Sequence, residues 1–507
     1  MLKEKFEKHN ILISLIISFI VYYLLNSLLF PHTWLKDFLL FKNLFEPNNL
    51  YTFWSIFLGI ITFFILPLIV ETIDSFLIFF TTPIFTKRWK KFKSLKRGYY
   101  SFLIIVSLFV LSWFSELLIN NRAVIVKYQG KYYFDTLFKF YSSKTFGFKG
   151  YGMPDYRNMP QLFANQAKAR QERIKNNSAS ETDEKYANEW GNDWALLPLY
   201  PFGPYETLLD DLPGRPPHPP SWLKSSWRIN FWDEGWYQIP ESVPEKYTKG
   251  NWASLPETEI FKHMALSGEL ELKDGFKAPS ALSHILGTDD RGRDVFARMV
   301  YGFRISIAFA LIVTFICYSI GISIGALLGY YGGTFDIIVQ RFVEIWSAMP
   351  FLYTVMIISA IRKPTFSLLV FILCMFGWMG MTYYIRGEFF REKSKDYVSA
   401  ATAIGCSDST IIFRHILPNS LTPVISFMPF AIVGNISSLV SLDFLGFGLP
   451  APTSSWGELI GQGLANLTKP WLVLSPMGAM FLTLLVVSFV GEAIREAFDP
   501  KEFSRLR

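Results

Sequence analysis

The sequence is short of charge. Only 18% of its 507 residues are Asp, Glu, Lys or Arg, against roughly 25% in soluble domains. A large part of the chain is therefore not built for water. Cysteine is scarce as well. Of the three, Cys317 and Cys374 lie in apolar runs, and the third is Cys406. None falls in the long polar segment, which excludes a disulfide framework there. The six histidines show no metal-ligand spacing. No G-x-x-x-x-G-K-[ST] loop is present to cradle a nucleotide's phosphates, and no Ser/His/Asp set stands out as a nucleophilic site. Carboxylates of the kind that relay protons inside membranes are scarce in the apolar runs.

What is present is apolar surface. The chain is 51% hydrophobic and 17% aromatic, with a mean hydropathy of +0.25. A hydrocarbon core of about 30 Å is crossed by about 20 apolar residues in a helix. Eight segments qualify: 11–30, 51–70, 99–120, 305–329, 344–361, 366–385, 421–441 and 473–491. The fifth is the weakest, because Glu344 and Pro350 fall in its first half. The first run is too long for a signal-peptide core and no small-residue cleavage site follows it, so it reads as an uncleaved span. Residues 71–86 carry Glu71 and Asp74 and read as an interfacial continuation of the second span.

The net charge of +7 fits positive cytoplasmic loops rather than nucleic-acid binding. Lys87, Arg88, Lys90, Lys91, Lys93, Lys96 and Arg97 crowd one connection, which places it and the N-terminus inside. Alternation then puts 121–304 outside, and 386–420 and the C-terminal tail inside. Arg362 and Lys363 fall on the outer side against this trend, in a very short loop. The outer segment carries a helix signal around Gln161–Lys175 and a stiff run with Pro216, Pro217, Pro219 and Pro220. Trp222, Trp227, Trp232, Trp236 and Trp252 suit either the aromatic core of a small domain or a peptide-stacking surface.

The most specific signal is the inner stretch Asp396–Asn419, DYVSAATAIGCSDSTIIFRHILPN. It reads as helix, break, helix. Ala400 and Ala401 are small enough to let another protein approach the backbone. Gly405 tolerates the positive φ of a break, and Ser407 or Asp408 caps the next helix. Ile411, Ile412 and Ile416 give that helix an apolar stripe, and Pro418 is expected to stop it where the next span begins. In the span 305–329, Gly321, Gly325 and Gly329 recur every four residues, a pattern that lets membrane helices pack closely.

The inner stretch resembles the coupling loop of ABC-importer permeases, E-A-A-x3-G-x9-I-x-L-P, with Ala400, Ala401, Gly405, Leu417 and Pro418 at matching positions. Ser399 stands where that family usually has Glu, and His415 where Ile is common; the Glu's charge, which would pair with the ATPase, is therefore missing. The stretch His284–Ser306, HILGTDDRGRDVFARMVYGFRIS, resembles the segment before the second core span in the dipeptide, oligopeptide and nickel branch. Its Asp289, Asp290 and Asp294 alternate with Arg291, Arg293, Arg298 and Arg304, which reads as an interfacial helix pinned by internal ion pairs. Residues 112–134, 441–450 and 490–500 narrow the likeness to the second permease of Yej-type importers, which take up microcin C and oligopeptides. The resemblance covers about residues 87–507; the first two spans and an enlargement between roughly Pro220 and Ala281 depart from it.

The resemblance implies an all-α transmembrane fold with a six-span type I permease core, two extra N-terminal spans and a mixed periplasmic domain. The expected divisions are an accessory region at 1–86, a basic loop and first core span at 87–120, the periplasmic segment at 121–304, and the permease core at 305–507 with its coupling loop at 386–420. It implies a transport subunit of the bacterial inner membrane, both termini cytoplasmic, without catalytic residues, metal or cofactor of its own. Its expected partners are a second permease, cytosolic ATPases that bind the ATP, a periplasmic peptide-binding protein and membrane lipid. Two alternative readings are a secondary transporter, which would need ionisable groups within the spans, where they are scarce, and a membrane sensor with a periplasmic ligand-binding domain, which would need an inner signalling domain, for which no inner segment is long enough.

Overall fold

The computed structural model describes residues 83–498 apart from 135–139, 149–151, 177, 210–211, 213–214, 224–227, 229–234 and 274–282. The apolar runs at 11–30 and 51–70, with Glu71 and Asp74, lie outside the described residues. The chain falls into two compact units. One draws on Met1–Val106, Ser306–Pro450 and Leu482–Arg507, the other on Ser107–Ile305 and Ala451–Phe481.

Helices dominate the first unit. α1 (Pro83–Ser94) and α2 (Lys96–Trp113) meet at a bend of 96°. α3 is the 37-residue helix Val295–Tyr331, whose mean hydropathy over its best window is 2.4. Gly332 and Gly333, both with positive φ, turn the chain into α4 (Gly333–Ser347). Pro350 lacks the N–H that would continue α4 and disfavours helical geometry at Met349. The chain accordingly bends by 68° into α5 (Phe351–Ile361), so the weakest of the apolar segments is a broken helix that starts earlier than its hydropathy indicates. α6 (Phe366–Gly377) and α7 (Met379–Lys393) together form the apolar helix Phe366–Lys393. The short α8 (Asp396–Ala403) precedes α9 (Leu417–Phe444), and α10 (Trp471–Phe498) closes the described chain. Among the described residues four helices are long and apolar enough to cross a membrane, or up to six if each bent pair is one span.

Pro418 does not stop its helix. The segment Asp408–Phe444 is one helix of 37 residues, in which residues Ile411–Ile416 form a π-turn just ahead of the proline. A π-turn bonds i to i+5, which loosens the ladder at the place where Pro418 cannot donate.

The second unit holds a three-stranded antiparallel sheet in the order β2-β1-β3: β1 is Ile125–Tyr128, β2 Lys131–Tyr133 and β3 Trp194–Leu196. Val126 faces Tyr133 on one side and Ala195 on the other. It packs with Phe146, Tyr156, Met159 and Phe163, the last two on the helix Met159–Lys175. A second small core gathers Leu208, Tyr237, Tyr247, Ile260, Phe261 and Met264, with Trp236 and Trp252 packed against it. Those two tryptophans thus serve a domain core. Trp222 is exposed and donates its indole N–H to Ile285 O at 2.9 Å; Trp227 and Trp232 lie outside the described residues. The proline run is buried rather than a free spacer: His218 and Thr288 exchange N–H···O bonds of 2.8 and 2.9 Å, through the Thr288 hydroxyl and the His218 carbonyl.

Candidate functional site

The stretch 396–419 is built on one packed cluster. Asp396 opens α8, where its charge favours the helix N-terminus. The helix ends in a paired hydrogen-bond closure: Gly405 N–H donates to Thr402 O at 3.0 Å and Cys406 N–H to Ala401 O at 3.1 Å. Gly405 takes φ +84°, the left-handed conformation this closure requires, and a side chain there would meet nothing within 4 Å. Ser407 then caps the following helix, its hydroxyl accepting from Thr410 N–H. Ile411, Ile412, Phe413, Ile416 and Leu417 are all buried, packed with Phe92, Ile322, Ile385, Phe389, Val398 and Ala401.

The two alanines face opposite ways. Ala401 lies in the cluster, whereas Ser399 and Ala400 are exposed. The neighbouring Thr402, Ala403, Ile404 and Gly405 are exposed too, and Ile404 is 82% exposed although apolar. His415 and Pro418 are half-buried. The stretch is also tied to the end of α3, because Tyr330 donates its hydroxyl to Asp408 Oδ1 at 2.7 Å and Lys393 Nζ donates to Tyr330 O. Tyr397 donates to Glu392 at 3.0 Å; burial, and then this hydrogen bond, push its hydroxyl up to about 12.

The glycines of α3 lie against α7. A Cβ at Gly321 would stand 2.6 Å from Trp378 O, one at Gly325 2.7 Å from Thr382 O, and one at Gly329 2.4 Å from Phe389 Cβ. Contacts that short leave no room for a methyl group, so the absence of side chains is what permits this approach. Thr382 adds a hydroxyl bond to Gly321 O at 3.2 Å. α7 is tied to α4 by Arg386, whose guanidinium meets Asp336 through two bonds of 2.5 and 2.6 Å.

The sequence model of the family described as binding-protein-dependent transport system inner membrane component matches residues 321–503, which contain this whole site. The chain is 36% identical to the peptidoglycan transport system permease protein YejE of Agrobacterium fabrum, over 84% of this chain and 95% of that one. It belongs to the YejE family of ABC transporter permeases. The inner membrane ABC transporter permease protein YejE of Escherichia coli is similar at 35% identity, over 83% of this chain and 98% of that one. The oligopeptide transport system permease protein OppC of Haemophilus influenzae is 36% identical over 43% of this chain and 71% of that one. The permease is thus a multi-pass membrane protein of a family of transport components.

The charged motif of the permease is not an isolated helix. Asp289 is fully buried in the turn ahead of α3, and its Oδ1 accepts the backbone N–H of Arg291 at 3.0 Å and of Arg293 at 2.8 Å. Its Oδ2 accepts Arg293 Nε at 2.7 Å and the guanidinium of buried Arg298. Glu458, on the helix Trp456–Ala465, pairs with both arginines. Beside this set, Asp294 Oδ2 lies 2.9 Å from His284 Nδ1 and accepts the Tyr200 hydroxyl at 2.8 Å. Burial, and then the Asp294 charge, raise the Tyr200 hydroxyl well above its ordinary range. Asp290 and Arg291 remain largely outside the buried set, and Arg304 turns to Glu116 at 2.9 Å. Glu458, Tyr200 and Asp336 carry no local signal, because each finds its partner at a separation of 50 or more residues.

Proposed function

We propose that this permease is the translocating subunit of an importer for peptides or peptide-like compounds, and that exposed residues of 399–405 receive the push of a separate ATPase. The substrate class rests on the named relatives, which handle peptidoglycan and oligopeptides. The observation that carries the docking assignment is the two-sided loop. Ala401, Ile411, Ile412 and Ile416 anchor it in the permease, while Ser399 and Ala400 are presented outward with little side-chain bulk and Ile404 presents an apolar side chain beside them. A force applied to that outer face is transmitted into α3, α7 and α9 through packed side chains rather than through a flexible linker.

The working unit combines this chain with a second permease, ATPase subunits and a periplasmic binding protein. The basic connection at 87–97 and the termini face the cytoplasm, and 121–304 faces the periplasm. The two N-terminal apolar runs are peripheral to the translocation path and serve assembly or a lineage-specific contact. Membrane passage involves no bond chemistry in this chain; the ATP is bound and hydrolysed by the partners.

The experiment compares Ala400→Arg with Ala401→Arg in the reconstituted complex. Ala400→Arg adds bulk and charge only to the outward face, so the permease keeps its thermal midpoint while uptake of a labelled oligopeptide and solute-stimulated ATP hydrolysis both collapse. Ala401→Arg places a charge in the permease's own core, where an unpaired charge costs several kcal/mol, and lowers the midpoint. Normal coupling in Ala400→Arg would remove the docking assignment.

A further inference from the structure

We infer that the elbow formed by α1 and the start of α2 is a binding surface for anionic phospholipid headgroups. Residues 83–97 carry seven cations and no acid. The structure divides them. Phe85, Trp89 and Phe92 turn inward to the core of the first unit. Arg88 follows them, donating to Thr422 Oγ1 at 2.5 Å, and Lys91 donates to Glu496 O at 3.2 Å. Lys87, Lys90 and Lys93 are exposed along α1, three residues apart, with Lys93 Nζ 5.7 Å from the centroid of the Trp89 ring; Lys96 and Arg97 are exposed at the bend, Arg97 lying over the Phe489 ring of α10 at 5.3 Å. α10, packed here, supplies exposed Glu492, Arg495 and Glu496, a net single negative charge against that set.

The second observation is the order of residues along α2. Arg97, Tyr100, Ile104, Leu108 and Leu111 are all exposed at spacings of three and four, so they form one stripe. Read from the bend, that stripe runs cation, tyrosine, then aliphatics only. This is the sequence of environments a helix meets on passing from headgroups through the interface into hydrocarbon. Because α1 turns by 96° at that point, its lysine face extends at headgroup level from the cationic end of a lipid-facing stripe. An acidic protein surface is the other partner for such a face. Continuity with the apolar stripe favours lipid, since a lipid molecule offers both an anionic head and an acyl chain to the same two surfaces. Cations beside the negatively charged inner leaflet gain attraction individually and additively. This lipid surface rests on the inside orientation proposed above for the connection, and on no feature of transport.

The test places the permease, with its copurifying partners, in nanodiscs of equal parts phosphatidylglycerol and phosphatidylcholine. One or the other lipid carries a photoreactive group high on its acyl chain, and labelled peptides covering 96–111 are counted. Phosphatidylglycerol should label this stretch on the order of tenfold more than phosphatidylcholine, and the excess should shrink at high salt. Replacing Lys87, Lys90 and Lys93 together by Gln should remove most of it, whereas Arg at all three should keep it. The Arg variant and the salt series decide the matter even where the Gln variant assembles poorly. Equal labelling by the two lipids, or an excess that survives the Gln replacements and salt, overturns the inference. So does carboxyl–amine cross-linking that joins these lysines to an ATPase subunit.

Discussion

Asp289→Asn is the sharpest probe of the buried charge set. The substitution keeps shape and one oxygen, so it tests charge and hydrogen bonding alone. In the native turn each carboxylate oxygen accepts two donors: two backbone N–H groups on Oδ1, and the side chains of Arg293 and Arg298 on Oδ2. An amide can satisfy only one of these pairs. Whichever way it is turned, its NH2 faces two donors. If the two guanidinium bonds are lost, at about 1.5–3 kcal/mol each for bonds to charged groups, the cost is about 3–6 kcal/mol. The general cost of removing one partner from a buried ion pair is roughly 3–5 kcal/mol, which agrees. Against a domain stability of about 5–15 kcal/mol, that is enough to open the second unit a thousandfold more often. Hydrogen exchange in nanodiscs reads it directly, through lost protection at Thr288, Asp289 and Arg298, with protease sensitivity of the same unit as a second readout. Adding Arg298→Met should restore much of the protection, because Arg293 keeps its 3.2 Å pairing with Glu458 and no cation is left over. Unchanged exchange in Asp289→Asn would refute the reasoning.

Gly329→Ala should lower the permease's thermal midpoint through an overpacking cost of about 1–3 kcal/mol, since its Cβ would stand 2.4 Å from Phe389 Cβ and 2.7 Å from Arg386 O. Gly380→Ala, where a Cβ meets nothing within 4 Å, is the control and should leave the midpoint unchanged or raise it; equal drops in both would mean that close packing is not what the glycines provide. In the second unit, the Arg173 side chain, and then Ser180, hold the Asp183 carboxyl well below the usual carboxylate range. A depressed carboxylate contributes stability that is complete above its unfolded value of about 3.9 and is lost only as pH falls through the folded one. Exchange protection of the short helix Glu181–Lys185 should therefore persist from neutrality to about pH 4 and fail only in stronger acid. Loss of that protection already at pH 5–6 would contradict the pairing.

The parts of the fold that were legible in the sequence are those written in local pattern. The apolar runs of α3, α6, α9 and α10 stand out because a membrane helix declares itself by length and hydropathy. The break at Gly405 and the cap at Ser407 are readable because both are matters of one or two residues. The coupling stretch could be located but not oriented: two adjacent alanines look alike in sequence, and only packing assigns Ala401 to the core and Ala400 to the surface. Pro418 misleads because proline usually ends a helix, while the π-turn ahead of it absorbs the missing donor. The set of Asp289, Arg293 and Arg298 looks self-contained until Glu458, 160 residues beyond Arg298, completes it. Tyr330 and Asp408, or Asp336 and Arg386, meet only after helices far apart in the chain have packed.

The π-turn at Ile411–Ile416 has a consequence for how the outer face of 399–405 is aimed. It holds one residue more than regular α-helix needs for the same span. Removing one residue from regular α-helix in this connector would swing everything before it, Ile404 and Ala400 included, around the axis of α9 by about 100°. The π-turn takes up its surplus residue as a wider turn, so the helix on either side keeps its phase. The bearing on which the loop is offered to a neighbour therefore depends on where a residue is added or removed, and not on the count alone.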